Sequence, residues 1–133
     1  MVESDIRQGY ATEYQVNVLQ MERILPQKGG CMEKVYKYTI TDQEIFENIF
    51  KDEKLLMNHV IIPPGKVFPK HPTDATVYAL ITQGELSVTI EDHEIKVFKA
   101  GQLVNIPKGV TSELGNRSDT IVELFVVKYE YDL

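Results

Sequence analysis

Three histidines and one cysteine are the side chains of this 133-residue chain best suited to binding a transition metal or transferring a proton. His59, His71 and His93 lie too far apart in the sequence to form a local zinc motif. Cys31 is the single cysteine, so the chain forms no internal disulfide. Any metal site would therefore have to be assembled by the fold from distant residues.

The net charge of the chain excludes some classes of binding partner. The formal net charge is −6, which provides no positive field to attract a polyanion. We therefore expect neither nucleic acid nor an anionic membrane as a partner. No apolar run approaches the roughly 20 residues that a membrane-spanning helix needs, and the first residues include Glu3 and Asp5 rather than a basic then apolar signal peptide. We expect a cytoplasmic protein, and a lone thiol at Cys31 suits reducing surroundings.

From Leu55 onward, short apolar runs alternate with breaks rich in Gly, Pro, Asn and Asp. Such runs predict short β-strands. The predicted strands are Leu55–Ile62, Thr76–Thr82, Leu86–Glu91, Glu94–Phe98, Leu103–Ile106, Thr111–Leu114 and Thr120–Tyr131. Regularly spaced strands without intervening helices indicate an all-β sandwich or barrel.

Two of these strands are apolar on both faces. In Thr76–Thr82, for example, Val77 and Ile81 share one face while Tyr78 and Leu80 share the other. In a sheet with one solvent-exposed face, apolar and polar residues should alternate along each strand. Because these two strands do not alternate, we expect another part of the protein or a partner to cover the second face. A second sheet, the N-terminal segment or a second subunit could do so, and we favour a homodimer.

The amino-terminal part has a different pattern. The sequence Thr41-Asp42-Gln43-Glu44 fits a helix capping box, and the apolar residues of Ile45–Phe50 then fall on one helical face. We therefore predict a short helix there, preceded by an edge strand over Glu33–Ile40.

The first 31 residues are interpreted as an N-terminal arm or linker, and residues 32–133 as a single domain. Lys28-Gly29-Gly30 can be encoded by a purine-rich stretch that resembles a bacterial ribosome-binding site. A native start at Met32 therefore stays open beside an ordered arm.

Two stretches carry a family resemblance. Gly65–Gly84 reads GKVFPKHPTDATVYALITQG, and Gly101–Asn116 reads GQLVNIPKGVTSELGN. Together they resemble the two signature motifs of the cupin superfamily. The framework residues that match are Gly65, His71, Gly84, Gly101, Pro107, Gly109 and Asn116. The resemblance covers Leu55–Val127 and implies a double-stranded β-helix, which is a small jelly-roll barrel with a pocket at one open end.

The family's metal-binding positions are where this chain departs from the pattern. In cupins two histidines and a glutamate of the first motif and a histidine of the second hold the metal. The corresponding residues here are His71, Thr73, Val77 and Ser112. Only His71 is a good ligand for a divalent transition metal. We therefore expect no cofactor, with iron, manganese, nickel or zinc bound by His71 together with His59 as the alternative.

The resemblance also suggests which residues line the pocket. The candidates are His71, Thr73, Val77, Ser112 and Tyr78. His71 is either a polar anchor or general acid/base in the pocket, or a relic hydrogen-bonded to a neighbour. Thr73 and Ser112 either bind a ligand or serve the structure.

Other polar residues are expected to lie outside the site. The side chain of Asp74 should point away from the metal positions unless the loop bulges, because neighbouring residues of a strand alternate in direction. His59 should pack or face solvent, and His93 should lie in a hairpin turn.

Three functions fit these observations. The first is a metal-independent cupin that binds a small molecule in its barrel. The second is a structural or regulatory dimer whose barrel is filled by its own side chains. The third is a metal-dependent cupin enzyme, a dioxygenase or an isomerase, with unusual ligands. We rank them in that order, which favours a protein without enzymatic activity.

Overall fold

The computed structural model describes residues 33–129, which form nine strands and no helix. The strands are β1 (Ile45–Lys51), β2 (Leu55–Ile62), β3 (His71–Pro72), β4 (Thr76–Gln83), β5 (Glu85–Ile90), β6 (Lys96–Lys99), β7 (Leu103–Ile106), β8 (Thr111–Gly115) and β9 (Val122–Tyr129). Within this part of the chain, no helix is long and apolar enough to cross a membrane.

The strands form two antiparallel sheets. One has the order β1-β2-β9-β4-β7 and the other the order β3-β8-β5-β6. Their inner faces pack against each other because both carry closely spaced Val, Ile and Leu residues. The fully buried members of this core include Ile62, Ile81, Leu86, Ile106, Val122 and Leu124.

The predicted all-β barrel is confirmed. The strands Leu55–Ile62 and Leu103–Ile106 have the bounds that the sequence pattern indicated, and the other predicted strands differ by one to a few residues at their ends. Buried and exposed side chains alternate along β4. Val77 and Ile81 are buried on the inner face of the sheet, while Tyr78 and Leu80 are exposed on its outer face.

The predicted helix over Thr41–Phe50 is wrong. Residues Ile45–Lys51 form strand β1, whose Phe46 pairs with Val60 of β2. The Thr41 hydroxyl accepts a hydrogen bond from Gln43 N at 3.1 Å, which makes a local turn rather than a helix cap. Pairing with the edge of β2 outweighs the local helical pattern of this segment.

The predicted edge strand at Glu33–Ile40 is also wrong, since residues 33–40 belong to no strand. The segment instead covers part of the outer face of the five-stranded sheet. The Tyr38 ring lies 5.0 Å from the rings of both His59 and Phe125. The predicted arm, residues 1–31, lies outside the described residues.

Gly84 allows the chain to pass from β4 into β5, and so from one sheet to the other. Its φ is +82°, which glycine adopts without strain. A Cβ at this position would lie 2.2 Å from the main-chain oxygen of Ile121. Both the backbone angle and the space around it therefore require glycine.

We predict that Gly84→Ala lowers the free energy of unfolding by more than about 2 kcal/mol, because strain and steric overlap add. Gly101→Ala is the matched control, since Gly101 has a φ of +94° but no atom within 4 Å of an added Cβ. The control should lose only about 1 kcal/mol. Urea unfolding of both variants measures the difference, and equal losses would contradict the steric role of Ile121.

Candidate functional site

A cavity of about 540 Å³ lies between the two sheets. Its volume falls within the range typical of small-molecule sites, roughly 300–1,000 Å³. Most of its wall is apolar and comes from both sheets. The apolar lining includes Val60, Ile62, Ile106, Leu114, Leu124 and Val126.

Four of the five pocket residues suggested by the sequence line this cavity: His71, Thr73, Val77 and Ser112. Tyr78 does not, and its placement in the pocket is wrong. Neighbouring residues of a strand point to opposite faces. Because Val77 faces the cavity, Tyr78 lies on the outer face of the sheet, where it is 39% exposed.

His71 and Ser112 face each other as paired residues of strands β3 and β8. His71 is exposed at the rim of the cavity, whereas Ser112 is only 4% exposed. Neither side chain has a hydrogen-bond partner within residues 33–129, so His71 is not held by a neighbour there. Both groups are available to a molecule in the cavity.

Thr73 has a structural role. Its hydroxyl donates to Pro107 O at 2.9 Å and accepts from Gly109 N at 3.0 Å. These bonds tie the segment after β3 to the turn between β7 and β8.

Asp74 also lines the cavity, although strand alternation predicted that it would point away. The reason for the difference is that Asp74 lies in the loop before β4, where strand alternation does not apply. Its Oδ1 lies 3.6 Å from Lys128 Nζ, so the cavity carries one acidic and one basic group close together.

The four family metal positions do not present a fitting set of ligands. His71 offers an imidazole, Ser112 offers a hydroxyl, Val77 offers no donor, and the Thr73 hydroxyl is used by Pro107 and Gly109. Such a set lacks the imidazoles and carboxylates that divalent transition metals prefer. No group of three or more His, Cys, Asp or Glu residues suited to a metal occurs in the described part of the chain.

His59 is fully buried and does not join His71, so the alternative metal pair is wrong. It lies in β2 and faces the outer side of the sheet, away from the cavity. Its Nδ1 is 2.8 Å from Glu47 Oε2 of β1, and its Nε2 is 2.6 Å from Glu123 Oε2 of β9. The three side chains form a carboxylate–imidazole–carboxylate triad that links β1, β2 and β9.

The contacts in the triad shift the pKa values of His59 and Glu47 in opposite directions. Burial alone would lower the pKa of His59, but the hydrogen bonds to Glu123 and Glu47 outweigh it and raise the pKa. Burial alone would raise the pKa of Glu47, yet the hydrogen bonds from His59 and Thr39 outweigh it and lower the pKa. Both ring nitrogens of His59 face carboxylate oxygens, so the imidazole donates to both carboxylates when it is protonated.

These shifts make stability depend on pH in a defined way. The contribution of His59 is complete below its ordinary pKa of 6.5 and is lost as pH rises through its raised pKa in the folded protein. The contribution of Glu47 is present above its ordinary pKa of 4.5 and is lost as pH falls through its lowered pKa. The triad thus stabilises the fold most between these two ordinary values.

We predict that His59→Leu lowers the free energy of unfolding by about 3–5 kcal/mol near pH 6, because two carboxylates lose their shared positive partner. The variant should also lose much of the decline in stability that the parent protein has above pH 6.5. Urea unfolding across pH measures both effects. His93→Leu, at an exposed position, is the control and should change stability by less than about 0.5 kcal/mol. An unchanged alkaline decline in His59→Leu would contradict the assignment.

The remaining reactive side chains lie elsewhere. His93 is exposed in the turn between β5 and β6, where its Nδ1 is 3.1 Å from Ile90 O. Cys31 lies outside the described residues.

Two polar residues of the cavity lie outside the family motifs, namely Asn58 of β2 and Lys128 of β9. Their pattern in the sequence does hold one clue. Asn58 alternates with Leu56, Val60 and Ile62 on the inner face of a largely apolar strand. A polar residue at such a position must either find a partner inside the fold or serve a ligand.

Comparison with known proteins agrees with this geometry. The family model for the cupin domain matches residues 58–128. An uncharacterised protein of Methanocaldococcus jannaschii is 34% identical over 98 residues, which cover 73% of this chain and 84% of the relative.

Solved structures of cupin proteins superpose on this fold. A crystal structure of an RmlC-like cupin family protein with a double-stranded β-helix fold from Methanocaldococcus jannaschii superposes with a TM-score of 0.71 at 33% identity, covering 77% of this chain and 94% of that one. The Cnp3 cupin domain of Schizosaccharomyces pombe superposes with a TM-score of 0.59 at 24% identity, covering 65% of this chain and 64% of that one. This second likeness concerns the fold alone.

Proposed function

The chain belongs to the cupin superfamily, and we propose that it binds a small molecule in its barrel cavity without a conventional cupin metal. The observation that carries the proposal is the cavity of about 540 Å³ with apolar walls and a few polar groups. Small-molecule sites combine these two features, since apolar surface provides affinity and a few polar groups fix orientation.

A barrel filled by its own side chains is less consistent with this cavity. In such a barrel the side chains of Val77, Ile81 and Phe125 would fill the interior. Val77 only lines the cavity, and Phe125 stacks on His59 at the outer face with ring centroids 4.7 Å apart.

A metal-dependent enzyme is the weaker candidate. His71 is the one strong ligand among the four family positions, and His59 engages Glu47 and Glu123 on the other face of the sheet. We therefore propose no catalytic step and no cofactor.

The test is to identify what the purified protein carries. The full chain is denatured after dialysis, the released small molecules are identified by mass spectrometry, and the metal content is measured on the same sample. We expect an organic molecule in near-stoichiometric amount, or uptake of one on screening, with metal well below one equivalent. Near-stoichiometric iron, manganese, nickel or zinc would contradict the proposal.

We also propose that the chain forms a homodimer through the outer face of β4 and β7. Tyr78, Leu80 and Leu103 lie there on paired strands and are 39%, 42% and 60% exposed. An apolar patch near the edge of a sheet suits a two-fold contact in which the same surface meets itself. A second copy would cover the outer face of β4 and β7, beside the strands β1, β2 and β9 that residues 33–40 contact.

Light scattering after size exclusion tests the dimer. We expect the full chain to be dimeric and Leu80→Glu to shift it to a monomer, because a charge would be buried at the contact. Val97→Glu is the control, since Val97 is 51% exposed but lies on the other sheet. A monomeric parent protein, or an equal effect of both substitutions, would contradict the proposal.

For location we propose the cytoplasm. The support is the lone Cys31, because a single thiol suits a reducing compartment. Fractionation of cells that express the full chain addresses this directly.

A further inference from the structure

The cavity contains a polar side chain whose hydrogen-bonding capacity the described residues do not use fully. Asn58 is 7% exposed and lies on the inner face of β2. Its Oδ1 accepts a hydrogen bond from Asn48 Nδ2 at 2.9 Å. The same Asn48 nitrogen lies 3.0 Å from Phe50 O and 3.1 Å from Met57 O.

These contacts fix the orientation of both amides. Asn48 faces two main-chain oxygens, so the atom that it presents there must be its nitrogen. The Asn58 atom that meets this nitrogen must then be its oxygen. The Asn58 Nδ2 has no hydrogen-bond partner within residues 33–129, so Asn58 offers the cavity free N–H donors while its oxygen already accepts from Asn48.

Lys128 lies beside Asn58 on the same wall of the cavity. Asn58 of β2 pairs with Val126 of β9, and Leu56 of β2 pairs with Lys128 of β9. Asn58 and Lys128 are therefore diagonal neighbours, whose main chains typically lie roughly 7–8 Å apart. Lys128 is paired only loosely, because its Nζ lies 3.6 Å from Asp74 Oδ1 and the Asp74 side chain is 66% exposed.

Across the cavity, Ser112 adds a hydroxyl without a protein partner in the described part of the chain, and it is 4% exposed. Asn58 and Lys128 thus present donors to the cavity, and the Ser112 hydroxyl can donate as well. Among the described residues that line the cavity, Asp74 is the single acidic one, and its side chain is 66% exposed.

We propose that the cavity binds an amphipathic carboxylate, a small monocarboxylic acid with an apolar chain or ring. The proposal rests on the function proposed above and names the class of ligand. The carboxylate accepts hydrogen bonds from Asn58 Nδ2 and Lys128 Nζ, and charge-assisted bonds of this kind are the stronger ones. The apolar part packs against Ile62 and Leu124.

Other head groups make weaker interactions with the Asn58 and Lys128 side chains. An alcohol makes only neutral hydrogen bonds with Asn58 and gains no charge attraction to Lys128. An ammonium group is a like charge beside Lys128, and the one opposite charge in the described lining, Asp74, already lies 3.6 Å from Lys128 Nζ.

Calorimetric titration of the full chain with octanoate, 1-octanol and octylamine tests the proposal, because the three probes share a chain length and differ in head group. We expect octanoate to bind at least about tenfold more tightly than either other probe. Asp74→Asn should tighten octanoate binding further, since it frees Lys128 from its competing partner.

Asn58→Asp is the critical variant. It keeps an oxygen for Asn48 and replaces the donor by an anionic oxygen, so octanoate should bind at least about tenfold more weakly. Gln102→Glu is the matched control, because it makes the same change of charge at an exposed position and keeps the oxygen that accepts from Lys99 N at 2.7 Å. Equal unfolding midpoints of the two variants show that both are folded.

The outcomes separate this inference from the function on which it rests. If octanol or octylamine binds as tightly as octanoate, the carboxylate assignment is overturned while the cavity remains a binding site. If Asn58→Asp and Gln102→Glu bind octanoate equally, the role of Asn58 is overturned. If none of the three probes binds, the ligand class is overturned, and the search for a molecule that the purified protein carries decides the proposed function separately.

Discussion

The interaction on which the fold most depends is the burial of His59 between Glu47 and Glu123. The hydrogen bonds of 2.8 and 2.6 Å join three neighbouring strands, β1, β2 and β9, from the outer side of their sheet. The inner side of the same three strands forms a wall of the cavity, with Phe46, Asn58 and Lys128 among its residues. The triad thus holds in register the strands that present the candidate site.

Neighbouring residues of β2 point to opposite faces of the sheet and therefore have different roles. Asn58 faces the cavity and offers its amide nitrogen there, whereas His59 faces outward and fixes the sheet. Both faces of the strand are buried, so a shift of one residue in register would place a charged triad in the core and an amide outside. The polar residues of this strand therefore specify its register as well as its chemistry.

The sequence predicted the barrel well because its strands are separated by strong turn signals. Gly84 and Gly101 occupy positions with positive φ, and period-2 alternation placed Val77 inside. The same alternation predicts Tyr78 on the outer face, where the structure has it. The helix at Thr41–Phe50 failed because the free edge of β2 decided the structure of a segment with helical periodicity.

Parts of the site could not be predicted, because they depend on contacts between distant residues. Glu47 and Glu123 reach His59 from different strands, and Asp74 enters the cavity from a loop. The free nitrogen of Asn58 follows from a hydrogen-bond pattern that only the fold creates. The family motifs identified where a metal would bind, and thereby drew attention to positions other than those that offer free donors.

The most direct test of the account is to observe the side-chain amide of Asn58 by nuclear magnetic resonance while octanoate is added to the ¹⁵N-labelled full chain. The account predicts that the Asn58 Nδ2 resonances shift with saturation while those of Gln102 stay in place. Shifts confined to the main-chain amides of Leu80 and Leu103 would contradict it, because they would place the bound molecule on the outer face of the sheet.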